Sequence, residues 1–186
     1  MRDTELFKKK IGPIALILMD VDGVLTDGDI VLGSGNQEFK KFDVQDGMGV
    51  TLARMAGLKV GLITGRQSEV VARRAEELRM DICYQGAPDK LGPYQEILGK
   101  YGLSDKQVCY IGDDLLEMVI LNRSGFSVAV ANARPEVKAI CDYVTSSHGG
   151  RGAVRETVEL ILKGQGKWNT VLGQINTHFQ SREGTV

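Results

Sequence analysis

The sequence predicts an α/β fold with a doubly wound, Rossmann-like and mostly parallel sheet. Apolar segments of strand length alternate with segments of helical periodicity from residue 14 to residue 163. This alternation is typical of a parallel sheet that is covered by helices on both faces. Three of the apolar segments run directly into an acidic residue, a threonine or a glycine. A glycine-rich stretch between two short β-prone segments adds a protruding β-hairpin to this layout.

The first elements are predicted from apolar runs and turn residues. Six apolar and mostly β-prone residues at 14–19 indicate a buried strand that ends at Asp20. A hairpin is predicted at about 28–42, because the turn-forming residues 33–36 separate two short β-prone segments. A helix at 46–56 follows, and Gly57 provides its C-terminal stop.

The later elements follow the same alternation. Pro88 suits the start of one helix and Pro135 the start of another. Strands are expected at 58–63, 81–84, 108–111, 126–130 and 143–144, and helices at 68–79, 89–100, 115–122, from Pro135 onwards, and at 152–163 as the last helix.

One domain without a cap accounts for this layout. We expect residues 1–164 to form a single domain and residues 165–186 to form a polar tail, which Trp168 anchors. The hairpin and one helix fill the chain between Asp22 and Thr64, and one helix and one strand fill it between Thr64 and Lys90. Neither gap has room for a cap domain, so the predicted site is open to water.

The bulk composition excludes several classes of function. The net charge is −1, and acidic and basic residues are well mixed, so no basic stripe indicates nucleic-acid binding. No apolar run reaches the roughly 18 residues that span a bilayer, and the charged residues 1–10 precede no cleavage pattern of a signal peptide. The three cysteines lie in apolar, strand-like contexts and are predicted to be buried free thiols of a cytoplasmic protein.

The stretch 20–27 carries the strongest chemical signal. Side chains alternate along an extended strand, so Asp20 and Asp22 can point to the same side. Gly23 permits a sharp turn beside a ligand. Two neighbouring carboxylates repel each other, and a divalent cation relieves that repulsion. A metal site at the end of the first strand is therefore predicted, although a polar turn alone would also explain a single pair of aspartates.

Three further sites follow along the chain, two of them at strand ends and one, Lys90, near the start of a predicted helix. Thr64 and Gly65 end a strand and can donate a hydroxyl and backbone amides to phosphate oxygens. Lys90 can offset the charge of carboxylates and phosphate. Asp113 follows Gly112 and is the best candidate for a third metal ligand, with Glu117 one helical turn further on the same face. Asp114 beside it suits a helix N-cap.

Taken in order, these four signatures resemble those of the haloacid dehalogenase-like phosphatases. The resemblance implies that Asp20 attacks phosphorus and that Asp22 is the general acid and base. It also implies that Mg²⁺ is bound by Asp20, the backbone carbonyl of Asp22 and Asp113, and that Thr64 and Lys90 stabilise the transferred phosphoryl group. The strands that carry Asp20, Thr64 and Asp113 are neighbours in that fold. Asp114 and Glu117 are assigned supporting positions.

Nearly the whole chain from about 14 to 167 is similar to one capless family within this superfamily, the 3-deoxy-D-manno-octulosonate 8-phosphate phosphatases. Residues 42–47, 84–86, 128–133 and 149–156 carry this closer similarity. The similarity implies a magnesium-dependent homotetramer of lipopolysaccharide precursor synthesis, in which the hairpins form the core and the tail reaches a neighbouring site. By position, the substrate would contact Asp43, Gln45, Asp46, Gly47, Gly65, Arg66, Arg74 and Lys90.

Two alternatives remain open at this point. Many members of the family carry arginine where this chain has Gln45 and a basic residue where it has Thr51. The missing charges motivate the same chemistry on a nine-carbon substrate, 2-keto-3-deoxynononate 9-phosphate. A non-catalytic oligomerisation module of the same fold is the other alternative, and the intact set of Asp20, Asp22, Thr64, Lys90 and Asp113 argues against it.

Overall fold

A six-stranded parallel sheet forms the centre of the molecule. The computed structural model describes residues 4–35 and 37–183. The strands are β1 Leu16–Met19, β2 Val31–Leu32, β3 Glu38–Phe39, β4 Lys59–Ile63, β5 Ile82–Tyr84, β6 Val108–Gly112, β7 Phe126–Ala129 and β8 Tyr143–Val144. The sheet has the order β5-β4-β1-β6-β7-β8, with every neighbouring pair parallel, and β2 pairs with β3 as a separate antiparallel hairpin. The predicted fold class is confirmed.

Helices connect the strands. They are α1 Thr4–Ile11, α2 Val44–Met55, α3 Glu69–Glu77, α4 Leu91–Tyr101, α5 Met118–Leu121, α6 Pro135–Ile140, α7 Ala153–Gly164 and α8 Trp168–Glu183. Local sequence sets several of their ends. The side chains of Asp43 and Ser68 cap the first turns of α2 and α3, Pro135 occupies the first position of α6, and Gly102 ends α4 in a left-handed conformation. None of the described helices is long and apolar enough to cross a membrane.

The core lies on both faces of the sheet. The side chains of β1 are fully buried, as are those of Tyr110 in β6 and Phe126 in β7. On one face, α2 packs against α7, and Gly49 allows this close crossing, because a Cβ at Gly49 would lie 2.9 Å from the Cα of Arg155. Near-continuous apolar strands are what a sheet buried on both faces requires.

Several boundaries differ from the predictions. Helix α4 begins at Leu91, so Pro88 lies in the preceding loop and not at the helix start. The helix predicted at 115–122 divides into a 3₁₀ turn, Leu115–Glu117, and α5. The hairpin strands are shorter than 28–42 implies, and Asn36 of the predicted turn lies outside the described residues. Cys83 is exposed, because it faces outwards on the edge strand β5, whereas Cys109 and Cys141 are buried as predicted.

Two helices at the ends of the chain were not predicted. Helix α1 packs Phe7 edge-to-face on Phe126, with ring centroids 5.2 Å apart. Helix α8 follows α7 after a short turn, so α7 is not the last helix. Trp168 at its start is half-buried, and the ammonium of Lys163 lies 4.9 Å from the ring centroid. Residues 184–186 of the predicted tail lie outside the described residues.

The segment 149–152 packs directly on the loop after β1. Gly150 donates its amide to the carbonyl of Val24 at 2.8 Å, and Asn132 joins the amide of Gly149 to the carbonyl of Gly23. A Cβ at Gly149 would lie 1.7 Å from that carbonyl oxygen. The glycines of this segment are therefore required by close backbone contact with the loop that carries Asp22.

Replacing Gly149 by alanine tests this contact. Gly149→Ala is expected to lower the free energy of unfolding by roughly 2–4 kcal/mol, since two backbone segments must separate. Gly99→Ala in α4 is the matched control, because a Cβ there meets no atom within 4 Å and alanine favours a helix by up to about 1 kcal/mol. Urea denaturation measures the free energy of unfolding of both variants, and equal values for the two would contradict the close contact between residues 149–152 and the loop after β1.

Candidate active site

The carboxyl ends of three adjacent strands bring distant residues together. Strand β1 lies between β4 and β6, and Met19 is in register with Leu62 and Ile111. The residues that follow these strands, Asp20, Thr64 and Asp113, therefore meet at one edge of the sheet. They line a cavity of about 200 Å³, together with Asp22, Gly65, Arg66, Ala87, Pro88, Lys90, Asp114, Leu116 and Glu117. This is the edge at which open α/β sheets bind ligands.

Three carboxylates converge inside this cavity. Asp20, Asp113 and Glu117 each offer one oxygen, and these oxygens lie within 4.8 Å of one another. Gly23 makes room for them, because a Cβ on Gly23, whose φ is +96°, would lie 2.1 Å from Oδ2 of Asp113. The same oxygen cluster therefore depends on a glycine in the turn that the sequence singled out.

Burial and mutual repulsion disfavour the ionised forms of two of these groups. Burial raises the pKa of Asp20 to about 6, with the charge of Glu117 adding to the effect and Lys90 opposing it. Burial, followed by the charges of Asp20 and Glu117, raises the pKa of Asp113 to about 8. The Oδ1 atom of Asp113 is buried and accepts no hydrogen bond among the described residues.

Lys90 is the buried cation of the cluster. Its Nζ donates to Oδ1 of Asp20 and to Oε1 of Glu117, both at 2.7 Å. Burial alone would lower the pKa of the Lys90 ammonium, but the charges of Asp20 and Glu117 raise it overall. One ammonium cannot balance three carboxylates, so the cavity keeps an excess of negative charge when all of them are ionised.

Glu117 supports the cluster from the turn after β6. Its Oε2 accepts from the amides of Asp113 and Asp114, at 3.2 and 2.9 Å, while Oε1 binds Lys90. Glu117 thus fixes both the lysine and the backbone that carries Asp113. Asp114 caps the 3₁₀ turn through the amide of Leu115, in agreement with its interpretation as an N-cap.

A divalent cation fits this arrangement. The donors are carboxylate oxygens, which Mg²⁺ prefers, and the buried Oδ1 of Asp113 has no hydrogen-bond partner in the described parts of the chain. A cation near Asp20 and Asp113 would also relieve the repulsion that raises the pKa values of both groups.

Thr64 and Gly65 form another wall of the cavity. Thr64 is buried, and its Oγ1 accepts from the amide of Arg66 at 3.4 Å. Its backbone carbonyl accepts from Ala87 at 3.1 Å, which ties the end of β4 to the loop before Lys90. Thr64 and Lys90, which the resemblance assigns to the transferred phosphoryl group, therefore line one cavity.

Asp22 lies at the mouth of the cavity between two cations. Lys40 donates to its Oδ1, and Nε of Arg66 lies 3.7 Å from its Oδ2. Lys40 comes from the hairpin and was not among the predicted site residues. The strand pattern at 38–42 shows that Lys40 and Lys41 point to opposite faces, but not which of them turns towards Asp22.

Other predicted contacts lie outside this cavity. Asp46 lies in the first turn of α2. Its buried carboxylate reaches the N-terminus of α7, where it accepts from the amides of Gly152 and Arg155 at 3.1 and 3.0 Å. Burial raises its pKa, and these hydrogen bonds oppose the shift. The Asp46 carboxylate therefore holds the start of α7, and its predicted contact with a substrate stays a prediction.

The remaining residues of that group organise the start of α2. Asp43 caps the helix through the amide of Gln45 at 2.6 Å. Arg74 donates to the carbonyl of Asp43 at 3.4 Å and pairs with Glu77, and a Cβ on Gly47 would clash with the Arg74 guanidinium. Arg66, in contrast, lines both the small cavity and a cleft of about 760 Å³ between the hairpin and α3.

Comparison with known proteins reveals extensive similarity. A family model described as haloacid dehalogenase-like hydrolase matches residues 89–156. The 3-deoxy-D-manno-octulosonate 8-phosphate phosphatase of Escherichia coli strain K12 is 42% identical over 161 residues, which cover 87% of this chain and 86% of that protein.

Solved structures are similar over a comparable length. The phosphatase of the same name from Moraxella catarrhalis, in complex with a magnesium ion, a phosphate ion and a KDO molecule, has a TM-score of 0.88 at 40% identity and covers 92% of this chain and 98% of its own. The cobalt-bound deoxy-D-mannose-octulosonate 8-phosphate phosphatase from Haemophilus influenzae has a TM-score of 0.83 at 36% identity, with 86% and 93% covered.

The raised pKa values predict how the stability of the metal-free protein depends on pH. Groups whose pKa is raised on folding stabilise the protein at low pH, and this contribution is lost as the pH rises from 3.8 through about 8 for Asp113. Asp113→Asn removes the charge, so in EDTA at pH 8.5 the variant is expected to melt roughly 5 °C above the parent. The variant should also lose most of the stabilisation that Mg²⁺ gives the parent.

Thermal unfolding from pH 5 to pH 9, with EDTA and with Mg²⁺, measures both effects. Asp89→Asn is the control, because Asp89 is exposed and its side chain accepts from the amide of Leu91, which asparagine can also do. A variant at position 113 with the same pH dependence as the parent would show that this carboxylate is not held in a repulsive environment.

Proposed function

The chain belongs to the haloacid dehalogenase-like hydrolases, and we propose that it is a magnesium-dependent phosphatase that acts on 3-deoxy-D-manno-octulosonate 8-phosphate through an aspartyl-phosphate. The observation that carries this proposal is the convergence of Asp20, Lys90 and Asp113 at the ends of strands or loops far apart in the chain. The similarity to phosphatases of this name supports the substrate.

Asp20 is the proposed nucleophile. One carboxylate oxygen of Asp20 attacks phosphorus in line while the bond to the leaving sugar oxygen breaks. The Nζ of Lys90 lies 2.7 Å from Oδ1 of Asp20 and orients this carboxylate. Its charge also lowers the pKa of Asp20, against the effect of burial. Bound Mg²⁺, held by Asp20, the carbonyl of Asp22 and Asp113, would neutralise charge on the nucleophile and the phosphate.

Asp22 is the proposed general acid and base. Its carboxyl group gives a proton to the leaving sugar oxygen, and the resulting carboxylate takes a proton from the water that hydrolyses the aspartyl-phosphate. The position of Asp22 at the mouth of the cavity, with a side chain 20% exposed, supports this role, because both proton transfers need a carboxyl group that solvent and substrate can reach. Thr64, Gly65 and Lys90 stabilise the charge on the transferred phosphoryl group.

The sugar acid would extend from the cavity towards the hairpin. Arg66 lines both the cavity and the larger cleft, and its guanidinium suits a carboxylate. Gln45 and Thr51 replace charges expected for the eight-carbon substrate, and this observation keeps 2-keto-3-deoxynononate 9-phosphate as the second candidate. Asp43, Gly47 and Arg74 organise the backbone beside this region.

A cytoplasmic homotetramer is the proposed assembly. The hairpin exposes four apolar side chains, those of Ile30, Val31, Leu32 and Phe39, each between 45% and 71% exposed. Contiguous exposed apolar surface is typical of a protein–protein interface. A neighbouring copy would also supply the shielding that a cap domain provides in other enzymes of this chemistry.

The nucleophile is tested by replacing Asp20. Asp20→Asn keeps the shape of the side chain but removes the attacking carboxylate, so we expect phosphate release to fall by at least about 10³-fold. Asp89→Asn serves as the control and should keep the rate of the parent. Mg²⁺-dependent phosphate release from p-nitrophenyl phosphate by the parent would exclude the non-catalytic module. An Asp20→Asn variant that kept the rate of the parent would contradict the assignment of Asp20 as the nucleophile.

The substrate is tested by direct comparison. We expect kcat/KM for 3-deoxy-D-manno-octulosonate 8-phosphate to exceed that for 2-keto-3-deoxynononate 9-phosphate by at least about tenfold, which corresponds to about 1.4 kcal/mol in the transition state. The assay measures phosphate release with Mg²⁺ at substrate concentrations well below KM. A preference for the nine-carbon substrate would instead link Gln45 and Thr51 to a changed specificity.

A further inference from the structure

Lys40 lies on the protruding hairpin, where a lysine side chain is ordinarily exposed to solvent, but its side chain is buried. Its side chain is 1% exposed, whereas that of the adjacent Lys41 is 66% exposed. A buried ammonium is stable only when it is paired, and Lys40 pairs with Asp22 and lies 3.6 Å from Glu38. Buried ion pairs contribute little net stability compared with apolar residues, so holding the hairpin down does not by itself explain this charge.

Glu38 fixes the spacing of the two cations around Asp22. Its Oε1 lies 3.2 Å from Nη2 of Arg66 and 3.6 Å from Nζ of Lys40, and its Oε2 accepts from the hydroxyl of Ser68. The Ser68 hydrogen bond, together with both cations, lowers the pKa of Glu38 against the effect of burial. A continuous set of contacts therefore runs from the N-cap of α3 through the hairpin to Asp22.

Asp22 has one cation at each carboxylate oxygen. Lys40 binds Oδ1, and Arg66 lies beside Oδ2 at the longer distance of 3.7 Å. The Arg66 side chain is 44% exposed and lines the cleft that a substrate would enter, whereas Lys40 is shielded. The shielded lysine is thus the group that fixes the direction of this carboxylate.

We propose that Lys40 is a positioning residue for Asp22 and that it acts on the departure of the leaving group. This inference rests on the proposed function. In the first step the bond from Asp20 to phosphorus forms, the bond from phosphorus to the leaving oxygen breaks, and the proton of the Asp22 carboxyl group moves to that oxygen. Lys40 keeps its own protons throughout and holds Asp22 against the leaving oxygen.

This role makes the effect of Lys40 depend on the leaving group. Phenyl phosphate and p-nitrophenyl phosphate have similar shapes, but the phenolate that leaves the first is much more basic and needs the proton more. Since kcat/KM reports events up to the departure of the leaving group, it separates this step from hydrolysis of the aspartyl-phosphate. General acid catalysis contributes about 10²–10⁴-fold in enzymes.

The experiment compares Lys40→Met with Lys41→Met on these two esters. Lys40→Met is expected to lower kcat/KM for phenyl phosphate at least about tenfold more than that for p-nitrophenyl phosphate, and Lys41→Met should leave both unchanged. Lys40→Arg should restore most of the loss. Glu38→Gln, which keeps both cations but loosens their spacing, should show the same selectivity to a smaller degree and serves if Lys40→Met does not fold.

Two outcomes would overturn the inference while leaving the proposed function intact. One is an equal loss on both esters in Lys40→Met, which indicates a structural role alone. The other is the same selective loss in Lys41→Met, which indicates a general effect of surface charge. A parent protein that releases no phosphate from either ester or from 3-deoxy-D-manno-octulosonate 8-phosphate would instead overturn the proposed function itself.

Discussion

The repulsion among three clustered carboxylates, two of them buried and that of Asp113 half-buried, is the constraint on which this structure depends. Asp20, Asp113 and Glu117 place oxygens within 4.8 Å of one another, with Lys90 as the buried cation among them. Electrostatic repulsion would drive these carboxylates apart if the backbone that carries them were flexible. The protein holds it by attaching two of the carboxylates to the ends of adjacent buried strands and the third to two backbone amides. The negative charge that Lys90 does not neutralise can bind a cation, and a bound cation in turn attracts a phosphate group.

Much of the surrounding fold stabilises the loop after β1 against this repulsion. The turn is closed by Thr26, whose hydroxyl accepts from the amides of Gly23 and Gly28. The segment 149–152 then packs on the outside of the turn, and α7 begins immediately after it. Asp46 in α2 binds the first amides of α7. The carboxylate at position 46 therefore acts at a distance from the cavity, through the helix that keeps the glycine segment in place.

The sequence predicts those parts of the site that follow from strand ends. Asp20, Thr64 and Asp113 each follow an apolar segment, so their places at strand ends were predictable from the pattern, whereas the adjacency of the three strands was implied by the family resemblance. The contacts of Asp46 and Lys40 were not predictable, because they depend on which face of a helix or hairpin packs on the domain. Helices α1 and α8 were missed for other reasons. Helix α8 carries weak hydrophobic periodicity, whereas α1 is short and rich in lysine, and the contact of Phe7 with Phe126 stabilises it.

The alternation of the hairpin strand gives one short segment two tasks. Glu38 and Lys40 point towards the site, with side chains 17% and 1% exposed, while Phe39 and Lys41 point away from it, 55% and 66% exposed. The side-chain period of a strand is two, so a slip of one residue would exchange the faces. An apolar ring would then face Asp22, and the paired charges would face solvent. The register of this hairpin is therefore constrained from both sides: by the charges that hold Asp22 and by the apolar surface that we assign to assembly.

The two faces of the hairpin share one backbone. Docking of a second copy on the apolar face would therefore also restrict the motion of Lys40. The geometry of Asp22, the acid at the mouth of the cavity, would then depend on assembly.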